Sequence, residues 1–408
     1  MSAALAGLRV LDLAWVVAGP VIGRALADFG ADVLRVESSR RIETARMMGP
    51  FPDGKLDPQK SGLYETCNAG KYGMTLDLSR EEGREVVRDL VRTWADVVIE
   101  AFAPGQMQEW GLGYEALRAL RPDLVMLSTS LMGQSGPWSR LAGYGNVGAA
   151  IAGYQAIVGW PDALPIGPFG PYTDFVGPRY SLVTLLAALD HRRRTGRGGW
   201  IDVSQAEAGI QFLAPQIADC AATGTVVEPR GNRDPQMAPH GVFPCRPQPP
   251  NTEGWVAIAV RSDREWQRLA GLVGGASLAA DPRFARLEDR QEREDELEAL
   301  VQNWTRERTP GEVERALQAI GVPAHNLASS ADMVADPQLQ HRRHFVELPH
   351  ELMGRTTVEN ARYRLSWTPA VQARPAPHFG RDNRWVLQTL LGYDDARIQA
   401  LADAGVLS

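Results

Sequence analysis

The residues that decide the fold are 8–37, which read LRVLDLAWVVAGPVIGRALADFGADVLRVE. Residues 8–13 form a short, largely apolar run typical of a buried strand, and residues 31–37 form a second one. Between the two runs, Ala18-Gly19-Pro20 predicts the start of a helix and Gly30 its end. A strand, a helix and a second strand predict a βαβ unit, and therefore a parallel sheet with a right-handed crossover.

The same alternation continues toward the carboxyl terminus. Runs of strand type recur at residues 74–78, 96–100, 124–128 and 200–203, with helical segments between most of them. Parallel α/β sheets bind ligands beyond the carboxyl ends of their strands. We therefore expect a ligand near residues 15–20 and after Glu37.

The composition changes near residue 225, which predicts a domain boundary. Residues 229–253 are rich in Pro, Gly, Asn and Arg, and a new strand with helices follows. From about residue 326 the chain has the composition of a linker, followed by short strands and a final helical pair. We therefore divide the chain at 1–225, 226–326 and 327–408.

The overall composition is that of an ordinary globular protein, with 44% hydrophobic residues and a formal net charge of −6. This charge argues against a nucleic-acid coat or a membrane-surface binder. The three cysteines are widely spaced and form no C-x-x-C pair, so we expect neither a disulfide framework nor a metal site. No apolar run approaches the roughly 18 residues that span a bilayer, so we expect a cytoplasmic protein.

One motif suggests a dinucleotide site. Residues 143–148 read GYGNVG and satisfy the pattern G-x-G-x-x-G. That fingerprint requires a strand directly before it, whereas the strand at 124–128 ends well upstream and Pro137 interrupts the chain. We interpret these glycines as close packing at the start of a helix.

Residues 167–177, GPFGPYTDFVG, place a single carboxylate where a Pro- and Gly-rich loop meets a long apolar helix expected from about residue 177. A carboxylate at such a junction accepts backbone N–H groups, lies at the positive end of the helix dipole and is held ionised in one orientation. Local sequence leaves two interpretations for Asp174: a helix cap or a nucleophile.

An ordered set of short segments resembles the family III CoA transferases, which include formyl-CoA transferase, carnitine CoA-transferase and alpha-methylacyl-CoA racemase. The segments are GLRVLD (7–12), AGP (18–20), GADV (30–33), LDL (76–78), PG (104–105), GLGY (111–114), RTGRG (194–198), WVAIAV (255–260) and GVPA (321–324). The resemblance covers nearly the whole chain.

This resemblance implies a Rossmann-like large domain, completed by residues 327–408, with a smaller α/β domain inserted between and two chains interlocked as a dimer. It also implies that Asp174 is the nucleophile. Its carboxylate would form an anhydride with a donor acyl-CoA, then a thioester with CoA, before CoA passes to an acceptor carboxylic acid. CoA is then a substrate, and no tightly bound cofactor or metal is expected.

The resemblance also indicates which residues form the site. We expect CoA to contact Val17, Ala18, Arg40, Arg41, Lys71, Leu76, Ala101, Phe102 and Ala103, and the substrate acids to contact Trp15, Trp138 and Tyr144. Formyl-CoA transferase has a polar or basic residue at the positions occupied here by Val17, Ser38, Ser79, Glu109 and Ala142. Because phosphate binding requires positive charge, we expect Arg40, Arg41 and Lys71 to replace the lost contacts.

Three functions remain open. The first is a CoA transferase, for example one that uses succinyl-CoA and resembles the succinyl-CoA:benzylsuccinate enzymes, with a larger acceptor acid such as an aromatic one. The second is an acyl-CoA racemase or isomerase, which Tyr144 disfavours because racemases carry a His there and neutral Tyr is a poor base. The third is a weakly CoA-binding partner subunit of a heteromeric transferase.

Overall fold

The computed structural model describes residues 3–408 and divides them into two compact units. The larger unit comprises the chain up to Ala156, Gly167–Val227 and Arg343–Ser408, and the smaller comprises Ile157–Ile166 and Glu228–Arg342. The boundaries that we expect at 225 and 326 concern independently folding domains, and they stay a prediction.

The strands are β1 (Arg9–Asp12), β2 (Asp32–Glu37), β3 (Tyr72–Thr75), β4 (Val97–Glu100), β5 (Val125–Ser130), β6 (Gly199–Ser204), β7 (His240–Cys245), β8 (Gly254–Ala259), β9 (Ala324–Asn326), β10 (Phe345–His350) and β11 (Gly354–Glu359). The helices are α1 (Ala18–Asp28), α2 (Gly62–Asn68), α3 (Glu81–Thr93), α4 (Gln106–Glu109), α5 (Tyr114–Leu120), α6 (Gly145–Ile151), α7 (Tyr154–Ile157), α8 (Tyr172–Thr195), α9 (Gln205–Ile210), α10 (Ala214–Thr223), α11 (Asp263–Ala279), α12 (Leu287–Glu292), α13 (Glu294–Thr305), α14 (Pro310–Ala319), α15 (Ser330–Ala335), α16 (Pro337–His341), α17 (Asn383–Trp385) and α18 (Asp395–Asp403). No helix among residues 3–408 is long and apolar enough to cross a membrane.

The larger unit is built on a six-stranded parallel sheet with the order β3-β2-β1-β4-β5-β6. This is the order of a Rossmann-like doubly wound sheet, in which the direction of winding reverses between β1 and β4. Successive residues of β1 and β2 are buried on opposite faces of the sheet, because two core clusters cover it, one containing Leu11 and Leu34 and the other containing Val10 and Val33. The expected α/β class with a parallel sheet is confirmed.

Residues 343–408 return to the larger unit after the smaller one. Strands β10 and β11 pair as an antiparallel hairpin. Further along, Asp382 and Asn383 accept the backbone N–H groups of Gly73 and Thr75 at 2.7 and 2.9 Å, so this segment covers the β3 edge of the sheet. Val386, Leu387 and Val406 are fully buried in the core beneath it.

The smaller unit contains its own core. Strands β7, β8 and β9 form an antiparallel sheet, and the helices α11, α13 and α14 contribute Trp266, Leu297 and Leu317 to one buried cluster with it. This unit corresponds to the smaller α/β domain expected from the sequence.

The helix that carries Asp174 differs from the prediction. Helix α8 begins at Tyr172 rather than near Gly177, so Asp174 lies in its first turn and Pro178 lies inside the helix. Pro171 occupies the N-cap position, and no side chain caps this end. Asp174 is therefore not the N-cap.

Candidate active site

A cleft opens where the sheet reverses its direction of winding, between the carboxyl ends of β1 and β4. It has a volume of about 440 Å³. Its walls come from the loops that follow β1, β2, β3 and β4, together with Tyr144. This is the position at which α/β sheets of this order bind their ligands.

Seven of the residues predicted for the site line this cleft: Trp15, Arg41, Leu76, Ala101, Phe102, Ala103 and Tyr144. The rings of Trp15 and Phe102 meet edge to face with centroids 6.0 Å apart, and Trp110 packs against Phe102 at 5.0 Å. The Arg41 guanidinium lies over Trp15, 5.3 Å from the ring centroid. The cleft therefore combines an aromatic wall with a cation at its rim.

Other predicted residues lie outside the lining of the cleft. Val17 and Ala18 are buried at the start of α1, directly after the lining residue Val16. Arg40 packs against Gly405, and Trp138 is exposed.

Lys71 occupies a position that argues against the expected phosphate contact. Its ammonium is fully buried and donates to Asp12 Oδ2 at 2.6 Å, to the Pro20 carbonyl at 2.8 Å and to Asn68 Oδ1 at 2.8 Å. An ammonium has three donors, and all three are used here. We therefore withdraw the proposed phosphate contact for Lys71.

The Asp174 carboxylate is almost completely buried, with 5% of the residue exposed. Burial raises its pKa to about 6, and a hydrogen bond from the Gly145 backbone N–H acts in the opposite direction. Within residues 3–408 no Lys or Arg forms an ion pair with it. Burying an unpaired carboxylate is unfavourable for stability, and such groups are concentrated at functional sites.

Close packing between α6 and α8 fixes the surroundings of Asp174. A Cβ atom on Gly145 would lie 2.5 Å from the Pro171 carbonyl oxygen and 2.6 Å from the Asp174 nitrogen, and one on Gly148 would lie 2.3 Å from Thr173 Oγ1. The glycines of the GYGNVG segment thus permit close approach of two helices, and this interpretation of them is confirmed.

Tyr144 joins this helix pair to the cleft. Its side chain lines the cleft, its hydroxyl lies 3.5 Å from Thr44 Oγ1, and the next residue in the chain is Gly145, which binds Asp174. Asp174, the nucleophile predicted from the sequence, does not itself line the cleft; the Gly145 N–H links it to Tyr144, which does.

Glu100 is a buried carboxyl group at the end of β4, directly before the lining residues 101–103, and it was not among the site residues predicted from the sequence. Its Oε2 accepts the Phe102 backbone N–H at 2.8 Å, which fixes the loop of residues 101–103 that lines the cleft. Burial raises the pKa of Glu100 to about 7, while hydrogen bonds from Ser128 and Phe102 oppose the shift. Its place at the end of a parallel strand was the available signal.

Val16 lies within the range 15–20 where a ligand was expected, whereas four other lining residues were not named from the sequence: Thr44, Asp77, Gln106 and Trp110. Each follows the carboxyl end of a parallel strand, and that position was the signal that pointed to them. Among residues 3–408 no group of His, Cys, Asp or Glu is arranged to hold a metal ion.

Comparison with known proteins identifies the family. The sequence model described as CoA-transferase family III matches residues 5–383. The chain is 33% identical over 406 residues to a succinyl-CoA–D-citramalate CoA-transferase of Chloroflexus aurantiacus, covering 96% of each protein. It is 32% identical over 408 residues to the beta subunit of a succinyl-CoA–L-malate CoA-transferase of the same organism, covering 99% of this chain and 98% of that one.

A solved structure gives the same result. A CAIB/BAIF family protein from Brucella suis superimposes with a TM-score of 0.87 at 31% identity, covering 96% of this chain and all of the other. The chain belongs to CoA-transferase family III, and it is an enzyme that transfers CoA between an acyl-CoA and a carboxylic acid.

Proposed function

We propose that the chain transfers CoA by covalent catalysis on Asp174, with succinyl-CoA as the donor. The observation that carries the proposal is the buried, unpaired carboxylate of Asp174, held by Gly145 next to the cleft wall. A carboxylate with few solvating partners is an effective nucleophile once it is ionised. The choice of donor is supported by the relatives, whose names specify succinyl-CoA.

The reaction requires two exchanges at Asp174. The carboxylate attacks the thioester carbonyl of the donor, expelling CoA thiolate and leaving a mixed anhydride. The thiolate then attacks the Asp174 carbonyl, which releases the donor acid and leaves an aspartyl-CoA thioester. The acceptor carboxylate repeats both steps in reverse, so acyl-CoA leaves and the Asp174 carboxylate is restored. Covalent intermediates retain the thioester energy while water is excluded.

We assign the cleft to CoA. Its aromatic wall of Trp15 and Phe102 suits the adenine ring, and Arg41 suits a phosphate group. Trp15 and Tyr144 also give the cleft an aromatic surface, which supports a larger, aromatic acceptor acid. CoA serves here as a substrate, and we expect no tightly bound cofactor and a cytoplasmic location.

A dimer is supported by apolar side chains that α8 and its surroundings leave exposed. Apolar side chains exposed together mark protein-binding surfaces, and here the rings of Tyr180 and Phe212 meet edge to face with centroids 6.3 Å apart. The exposed residues are Phe175, Tyr180, Val183, Leu186, Phe212 and Ile217. We propose that a second chain covers them, in the interlocked arrangement that the sequence resemblance implies.

A heteromeric enzyme is the second candidate, and the charge of the cleft favours it. In the described part of the chain, Arg41 is the one Lys or Arg that lines the cleft, and the carboxylate of Asp77 faces the same space. One relative is named as the beta subunit of a transferase. In this arrangement the other subunit would bind the acyl-CoA.

The test compares wild type with Asp174→Ala and Asp174→Asn. We expect wild type to pass CoA from succinyl-CoA to a member of a panel of carboxylic acids, and both variants to lose turnover by about a thousandfold or more. Hydroxylamine added with succinyl-CoA should convert Asp174 of wild type to a hydroxamate, detected by peptide mass spectrometry. Normal turnover by Asp174→Ala would contradict the mechanism, and CoA binding that requires a second protein would favour the heteromer.

A further inference from the structure

The loop between β1 and α1 contains a residue in an unfavourable backbone conformation. Val16 has φ of 67°, in the left-handed region that branched side chains rarely adopt. The residue lines the cleft beside Trp15. Such conformations persist only where surrounding contacts hold them, and they are concentrated at functional sites.

The carboxylate of Glu43 holds Val16 in this conformation. Its Oε2 accepts the Val16 backbone N–H at 2.7 Å, and its Oε1 accepts from Arg35 Nη2 at 2.6 Å. Glu43 is 1% exposed and Arg35 is fully buried. Both carboxylate oxygens are therefore occupied by donors in a region from which water is excluded.

The same buried network fixes the other side of Trp15. Asp12 Oδ1 accepts the Ala14 backbone N–H at 3.0 Å and lies 3.6 Å from Arg35 Nη1, while Asp12 Oδ2 accepts from Lys71. The amides directly before and after Trp15 thus bind two carboxylates that share one guanidinium. In this arrangement Lys71 holds the Asp12 carboxylate in place, instead of binding a phosphate group as expected from the sequence.

We propose that Glu43 is a positioning residue for CoA. It holds Val16 in the left-handed conformation and thereby presents the Trp15 ring and the residue 14–16 backbone to the cleft. The assignment rests on the proposed function, because it takes CoA to be the ligand of the cleft. Glu43 does not line the cleft, and it acts through Val16.

The geometry explains why a glutamate is required. Both partners of Glu43 are donors, so both of its terminal atoms must accept. Gln presents one oxygen and one NH₂ group, and the NH₂ group would face either Arg35 or the Val16 N–H. Glu43→Gln therefore breaks one of the two contacts while it keeps the size of the side chain.

The alternative is that Glu43 merely stabilises the fold, and Glu65 provides a matched control. Glu65 lies in the same unit, is 3% exposed, pairs with His350 Nε2 at 3.1 Å and accepts the Ala376 backbone N–H at 3.2 Å. It therefore makes the same two kinds of contact, but it does not line or support the cleft. Glu65→Gln should lower the stability of the fold without changing the affinity for CoA.

The experiment measures the dissociation constant of CoA by calorimetry for full-length wild type, Glu43→Gln and Glu65→Gln. We expect Glu43→Gln to raise the CoA dissociation constant about 10-fold and Glu65→Gln to change it less than about 2-fold. Both variants should have a lower melting temperature than wild type. Equal CoA affinity in wild type and Glu43→Gln would overturn the assignment. No CoA binding by wild type would overturn the proposed function itself.

Val16→Gly provides a second and independent test. Glycine adopts a positive φ without strain, so the loop no longer needs the Glu43 contact to keep its shape. In the Val16→Gly background we expect Glu43→Gln to change the CoA dissociation constant by less than about 3-fold, a non-additive result. A full 10-fold effect in that background would contradict the assignment, and so would failure of Glu43→Gln to fold in both backgrounds, since that would indicate a role in folding alone.

Discussion

At the level of single residues, Asp174 combines two requirements that usually conflict. A nucleophilic carboxylate must be ionised, and it must also be poorly solvated if it is to react. Burial raises its pKa to about 6, and the Gly145 N–H limits that rise. The group is therefore mostly ionised at neutral pH while it is shielded from water.

This balance predicts the pH dependence of transfer. The reactive form is the carboxylate, so kcat/KM should be constant above pH 7 and should fall about 10-fold per pH unit below about 6, the pKa of Asp174. The measurement is initial-rate kinetics from pH 4.5 to 8.5.

Glu100 requires a control in that experiment, because its pKa of about 7 lies close by. Glu100→Gln removes this titration and leaves an amide oxygen that still accepts the Phe102 N–H. The fall near pH 6 should persist in Glu100→Gln. If it disappears, Asp174 is not the group that the profile reports.

Some residues at or near the cleft could be predicted from the sequence, and others could not. Trp15 could be placed at the cleft because it follows a strand of a predicted parallel sheet, and the family resemblance implied Phe102. The role of Lys71 could not be predicted, since its partner Asp12 lies 59 positions away and only the folded sheet brings the two together. Glu43 carries no signal in the sequence, because acidic residues in loops are usually exposed to solvent.

At the level of elements, the packing of α6 against α8 determines where Asp174 lies. Thr173 Oγ1 donates to the Gly145 carbonyl at 3.1 Å, so the two helices are joined directly beside the nucleophile. The sequence predicted close packing by these glycines but placed the start of the second helix about five residues too late. Pro178 accounts for the difference, because proline is common in the first turn of a helix, whereas here it lies inside α8.

Gly145→Ala tests this packing. The added methyl group would lie 2.5 Å from the Pro171 carbonyl oxygen, so backbone must move. We expect the free energy of unfolding to fall by about 1–3 kcal/mol and transfer to fall by about 100-fold, since the donor N–H to Asp174 shifts. Chemical denaturation and initial rates provide the two measurements.

Gly271→Ala is the matched control. Gly271 lies in α11 of the smaller unit, and no atom lies within 4 Å of the position of an added Cβ. Alanine there should leave transfer unchanged and raise the free energy of unfolding by up to about 1 kcal/mol. Gly145→Ala with wild-type activity would show that the α6 and α8 contact does not position Asp174.

At the level of the whole molecule, the larger unit is discontinuous in sequence. Residues after 343 supply hydrogen bonds to β3 and several residues of the principal core. The parallel sheet was predictable because strand and helix signals alternate locally, and the sequence resemblance indicated the return of the C-terminal segment. The contacts themselves join residues some 300 positions apart, which no local pattern encodes.

Truncation tests the independence of the two units. We expect residues 228–342 to unfold cooperatively on their own, since their buried cluster lies within that range. Residues 1–342 should lack the transition of the larger unit, because Val386, Leu387 and Val406 are removed from its core. Thermal unfolding followed by circular dichroism measures both, and strong hydrogen-exchange protection of β2 and β3 in residues 1–342 would contradict this expectation.

The return of residues 343–408 also determines the order of events on the ribosome. The strands of the parallel sheet emerge before the smaller unit, yet the residues that close their core are synthesised after it. At ordinary elongation rates that delay is on the order of tens of seconds. The smaller unit can thus fold during translation, whereas the larger unit, which carries Asp174, is expected to depend on chaperones until residues 343–408 have emerged.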